Sequence, residues 1–140
     1  MLEGRIAALR QRLPDVYRAI HGAAPRARLV VAGYPRLFAR DSGPVGNCSA
    51  GRQISATEAA YLNERTVSLN AAIAGAAKEA GADFADVTNA FDGHELRCSG
   101  PSYLNPLGLR RRLFSASFHP NAAGYAQLAS VIARQITARR

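Results

Sequence analysis

Tryptophan is absent from the 140 residues, lysine occurs once, at Lys78, and only two cysteines are present, Cys48 and Cys98. Aromatic residues make up 7% of the chain, yet its net charge is +8. Nearly all of that charge is arginine, dispersed except for Arg110-Arg111-Arg112 and Arg139-Arg140. A nucleic-acid binder wants a basic stripe interleaved with aromatics, so nucleic acid is not an expected partner. A weak pull towards anionic surfaces is what the charge supports. Neither cysteine has a CxxC neighbour, which argues against zinc, and no metal or cofactor is expected. Cys48 and Cys98 lie among Gly, Ser and Asn, as a disulfide of an oxidising compartment or as two free thiols of a reducing one. No apolar run approaches the ~20 residues of a membrane-spanning helix. Met1-Leu2-Glu3-Gly4 enters an amphipathic pattern without a basic region and apolar core, so no signal peptide is expected in these residues.

What is present is a core. A hydrophobic content of 48% in a chain of ordinary domain size predicts one globular domain, residues 1–140. Ile6, Leu9, Leu13, Tyr17 and Ile20 recur at helical spacing, with Pro14 predicting a kink or a break and His21-Gly22 a stop. Ala27 to Gly33 reads as a strand buried on both faces. Arg36 to Ile54 reads as a long loop. Ser55 and Glu58 form a capping box opening a helix to about Ala80, with Leu62, Leu69, Ile73, Ala76 and Ala80 as its buried stripe and Gly81 ending it. A second strand follows at Asp83–Val87, then an irregular stretch over 88–118. A last helix runs from about Asn121 to Arg139.

The order helix, strand, helix, strand, helix predicts α/β architecture with parallel strands and right-handed crossovers. Two strands alone make a marginal sheet. The buried character of Leu29 to Ala32 calls for neighbours on both sides, so the chain reads as the second part of a larger α/β domain. An exposed sheet edge would also invite pairing into a homo-oligomer.

Chemistry concentrates at Ser117-Phe118-His119-Pro120-Asn121-Ala122-Ala123-Gly124. Proline suits the first turn of a helix or the position just before it, and Asn121 is a natural cap. Tyr125, Leu128, Ala129, Ile132 and Ile136 fall on one face behind them. His119 is thereby set on a loop at a helix mouth, where general bases often sit.

This block resembles the last motif of the SGNH hydrolases, the GDSL-type esterases and lipases. Val30 to Phe38, Ile54-Ser55 with Leu62-Asn63, and Phe91-Asp92-Gly93-His94-Glu95-Leu96-Arg97-Cys98 resemble its secreted actinobacterial branch in the same order, from about Leu13 onward. The resemblance implies a three-layer α/β/α sandwich with a parallel sheet, flavodoxin-like, of which this chain is the C-terminal part. It also implies ester hydrolysis of a small-molecule or lipid substrate through an acyl-enzyme, and secretion. In the family a Ser from an N-terminal Gly-Asp-Ser block attacks, a Gly and an Asn complete the oxyanion donors, and the His of the last block is the base. Only that His is matched here, as His119. Where many members carry an Asp three residues earlier this chain has Ala116, whose main-chain carbonyl would orient the imidazole, giving a Ser-His dyad completed from outside the chain. Without the Ser the isolated chain is expected to be inactive, a non-catalytic relic or a basic binding module being the alternative. Ser42, in the only Asp-Ser pair, lies about eight residues past its strand and makes a poor elbow. Ser115 and Ser117 are too close to His119 in sequence and fit as turn-shaping residues. The resemblance gives His94 a loop-packing role and pairs Cys48 with Cys98 in a disulfide.

Overall fold

The computed structural model describes residues 2–39, 45–47, 52–97, 100–106 and 116–137. Among these residues the regular structure comprises three helices and four short strands: α1 (Leu2–Ala23), β1 (Val30–Ala32), β2 (Val45–Asn47), β3 (Arg52–Ile54), α2 (Ala56–Glu79), β4 (Asp83–Ala85) and α3 (Ala122–Thr137). β1 and β4 pair in parallel, Val31 opposite Phe84. α2 lies over both strands and against α1, and α3 touches β4. The α/β order expected from the sequence is therefore the order observed.

α2 begins where the capping box predicts. The Ser55 hydroxyl accepts from the Glu58 N–H at 3.2 Å, and the Glu58 carboxylate accepts from the Ser55 N–H at 2.9 Å. Both orphan donors of the first turn are thus satisfied locally. At the far end Gly81 takes a φ of 71°, a left-handed conformation that glycine adopts without a Cβ penalty.

Several expectations are corrected. α1 is continuous through Pro14, which is buried with Tyr17 one turn on; packing of that turn offsets the hydrogen bond proline removes. The 36–54 loop contains an antiparallel hairpin, β2 with β3, which its mixed polar sequence does not announce. β1 and β4 span three residues each, shorter than the expected Ala27–Gly33 and Asp83–Val87. Val30 and Val31 are half-buried and Ala32 is exposed, so β1 lacks the two-sided burial its composition suggests. On α2, Ile73 and Ala76 are buried, but Leu62 is at the surface, and the buried face includes Asn63 and Asn70. On α3, Tyr125 and Ala129 are exposed and Gly124 is the buried position.

That last change has a steric cause. A Cβ on Gly124 would lie 2.2 Å from the Tyr103 carbonyl oxygen, so α3 docks by its backbone, and the helix turns accordingly. Leu128 packs on the buried cluster of Phe38, Ala59, Phe91, Leu96 and Leu104. A second cluster, Tyr17 with Ala76 and Ala77, joins α1 and α2 to Leu29, Val31 and Phe84 of the sheet region.

Candidate active site

The chain leaves β1 through Gly33 and Tyr34, and two asparagines of α2 hold that exit. Asn70 accepts from the Tyr34 N–H at 2.8 Å, donates to the Tyr34 carbonyl at 2.7 Å and to the Thr88 hydroxyl at 2.8 Å. Two helical turns earlier, Asn63 donates to the Phe38 carbonyl at 2.7 Å and accepts its N–H at 3.3 Å. Each amide pairs with one residue's N–H and C=O as a neighbouring strand would. Gly33 lets Asn70 approach, since a Cβ there would meet the Asn70 amide oxygen at 2.8 Å. Phe38, so fixed, bridges in parallel to Leu96.

His119 lies in the last irregular segment. Its carbonyl accepts from the Asn105 N–H at 2.9 Å and from the Asn105 side-chain amide at 3.2 Å, and the Asn105 carbonyl accepts from Phe118 N–H at 3.0 Å. Leu104 bridges Pro120 antiparallel. Asn121 caps α3 as expected: its side-chain oxygen accepts from the Gly124 N–H at 3.0 Å. It also ties α3 to the 102–105 segment, donating to the Ser102 carbonyl at 2.7 Å from its side chain and to the Tyr103 carbonyl at 2.9 Å from its backbone.

Phe118 has a φ of 64°. A bulky residue in the left-handed region is strained by about 1–3 kcal/mol. Here its ring sits edge-on to Phe38 at 6.2 Å between centroids, against the buried cluster, and that packing offsets the strain. The backbone thus turns sharply at Phe118 and presents His119 outward. The His119 side chain is exposed, and no described residue hydrogen-bonds its ring. The Ala116 carbonyl accepts the His119 backbone N–H at 3.2 Å, which leaves one lone pair on that oxygen.

His94 is a different kind of histidine. Its ring stacks on Tyr103 at 4.2 Å between centroids and 15° between planes, and its buried Nδ1 has no partner among the described residues. Its carbonyl accepts from the Tyr103 N–H at 2.8 Å. It therefore braces the strip that also holds Asn121. Ser117 lies half-buried in the turn beside His119. Ser42, Cys48, Cys98 and Ser115 lie outside the described residues. Asn63 falls in one of the blocks that resemble the family and stands seven residues before Asn70 on a largely apolar face of α2; Asn70, Asn105 and Tyr103 carry no motif signal of their own.

Among the described residues no cluster of His, Cys, Asp and Glu has metal-binding geometry, and no helix is long and apolar enough to cross a membrane.

The α/β frame and the histidine at the mouth of α3 are compatible with many functions, and comparison with known proteins gives the family. A model of the GDSL-like lipase/acylhydrolase family matches residues 2–127. A lipase of Streptomyces rimosus is 38% identical over 122 residues, 84% of this chain and 42% of its own length. Lipase 1 of Streptomyces coelicolor is 36% identical over 113 residues, 81% of this chain and 38% of its own length. Among solved structures, phospholipase A1 of Streptomyces albidoflavus matches with a TM-score of 0.77 at 30% identity, over 96% of this chain and 55% of that one. The extracellular lipase of S. rimosus matches with a TM-score of 0.64 at 34% identity, over 92% of this chain and 56% of that one. The chain belongs to the GDSL-like lipase/acylhydrolase (SGNH) family and forms part of its α/β fold. It spans about two fifths of the length of these curated relatives.

Proposed function

We propose that this chain supplies the general-base part of a serine ester hydrolase, with His119 as the base of a Ser-His dyad. The observation that carries this reading is the exposed imidazole of His119, without a hydrogen-bond partner among the described residues and held by its backbone through Asn105 at the mouth of α3. An imidazole neutral near pH 7 accepts a proton from an attacking hydroxyl and returns it to the leaving alcohol. The Ala116 carbonyl is the candidate orienter. A carbonyl stabilises the imidazolium less than a carboxylate does, which makes this a dyad. Nucleophile and oxyanion donors come from polypeptide outside these 140 residues, where the developing charge needs preorganised N–H groups.

The names of the relatives, lipases and a phospholipase A1, support a lipid ester as substrate. An extracellular relative supports secretion, a compartment in which Cys48 and Cys98 would pair as a disulfide. The test is hydrolysis of p-nitrophenyl butyrate by the purified chain. No turnover above buffer is expected. Turnover that disappears in His119→Ala would overturn the reading that the nucleophile lies elsewhere.

A further inference from the structure

His119 and the turn that presents it hang on one short strip of chain. Over 103–105 the strip runs antiparallel to 118–121. The Tyr103 carbonyl accepts from the Asn121 N–H at 2.9 Å, and Leu104 bridges Pro120. The Asn105 carbonyl accepts from the Phe118 N–H at 3.0 Å, and its own N–H donates to the His119 carbonyl at 2.9 Å. Pairing of this length is marginal without packing. It must also hold Phe118 at a φ of 64°, where a bulky residue is strained.

What fixes the strip lies on its other side. The turn at 91–94 closes with the His94 N–H on the Phe91 carbonyl at 2.7 Å, and the His94 carbonyl accepts the Tyr103 N–H at 2.8 Å. Both rings of that turn grip the Tyr103 ring. His94 stacks on its face at 4.2 Å, and Phe91 meets it edge-on at 5.6 Å and 73°. Phe91 is almost wholly buried in the cluster that also takes Phe38 and Leu104, so the grip is anchored in the core. Among the described residues nothing bonds the buried Nδ1 of His94. What this histidine gives Tyr103 is therefore the face of its ring, and aromatic pairs of this kind stabilise beyond their buried area.

We infer that His94 and Tyr103 are a positioning pair for His119: their stacked rings fix the 103–105 strip, and the strip holds Phe118 in the left-handed turn that presents His119. His94 acts through its shape and not as a second base. The role as a positioning pair rests on the reading of His119 as the general base.

The test compares His94→Ala, His94→Leu and His94→Phe in the purified chain by NMR. The one-bond Cα–Hα coupling of Phe118 reports its positive φ, and amide exchange at Asn105 reports its bond to the His119 carbonyl. His94→Ala and His94→Leu should shift the Phe118 coupling towards that of ordinary negative φ and quicken Asn105 exchange about tenfold, the weight of one aromatic pair. Ala76 and Ala77 of α2 should keep their protection. His94→Phe keeps a ring face without either nitrogen and should match wild type in both readouts. If His94→Ala fails to fold, His94→Leu and His94→Phe decide between them. The inference is overturned if His94→Leu matches wild type, if His94→Phe behaves as His94→Leu does, or if protection falls equally at Ala76 and Ala77. Neither readout depends on proton transfer, so they test the placement of His119, whereas the turnover assay with His119→Ala tests its role as base.

Discussion

Around His119 five side chains, Phe38, Ala59, Phe91, Leu96 and Leu104, are almost wholly buried, although most of the segment they hold is irregular. At the other end two long helices pack together, yet among the described residues Tyr17, Ala76 and Ala77 are the only buried members of their cluster, and Val16 and Ile20 stand in the open. The loop end is pinned by Asn63, Asn70, Asn105 and Asn121, each bonding main-chain groups far along the chain. The helical end relies on apolar contact, supplemented by surface ion pairs such as Arg18 with Glu79 at 3.4 Å, which contribute little. Regular secondary structure is thus no guide to where this molecule is firm. Firmness is concentrated where a histidine must be presented from a loop, since precise placement needs each backbone group of the loop to be satisfied.

The largest test of this contrast compares two core truncations. Phe91→Ala should lower unfolding free energy in urea by about 3–5 kcal/mol, the usual cost of emptying a filled aromatic site. Tyr17→Ala should cost clearly less, because the Tyr17 site borders the open face of α1; equal losses would break the comparison. Burial, and secondarily nearby Tyr34, pushes the Tyr17 phenol up, so it stays neutral through the physiological range.

Removing an asparagine sharpens the contrast at intermediate size. Asn63→Ala strips both partners from the Phe38 backbone in a buried position and should cost about 1–3 kcal/mol. Amide exchange should quicken at Phe38 while the Tyr17 turn of α1 keeps its protection. Uniform loss of protection across both ends would mean that the asparagines stabilise the whole fold and not the loop.

The smallest effect belongs to the start of α2. Ser55→Ala removes the cap and should cost about 1 kcal/mol. The Ser55 hydroxyl first, then its backbone N–H, holds the Glu58 carboxyl below its ordinary value. A depressed carboxyl contributes stability above the ordinary carboxylate range and loses it as pH falls through its folded value. The gap between wild type and Ser55→Ala in melting temperature should therefore narrow on acidification; a gap constant to pH 3 would remove Glu58 from the account.

The helices and the Asn121 cap were legible because their signals are local: apolar spacing, a serine three residues before a glutamate, an asparagine after His-Pro. The location of His119 was legible for the same reason, and its family through four ordered blocks. Other features required the assembled molecule. Asn63 meets Phe38 across 25 residues of chain, so no window of sequence shows that its amide stands in for a strand. Pro14 predicts a kink or a break, and it is the packing of its turn that keeps α1 continuous. On α3, Leu128, Ile132 and Ile136 of the expected stripe are half-buried, whereas Tyr125 and Ala129 face solvent, because Gly124 must sit against the Tyr103 carbonyl. Sequence by itself determined which segments are helices and which histidine precedes the last helix, since these depend on neighbours within a few turns; that β1 and β4 run in parallel followed from the alternating order of helices and strands, not from any local signal. Only tertiary structure decided how that histidine is presented. The left-handed turn at Phe118 persists because its half-buried ring packs beside Phe38, and that packing exists only once distant parts of the chain have met.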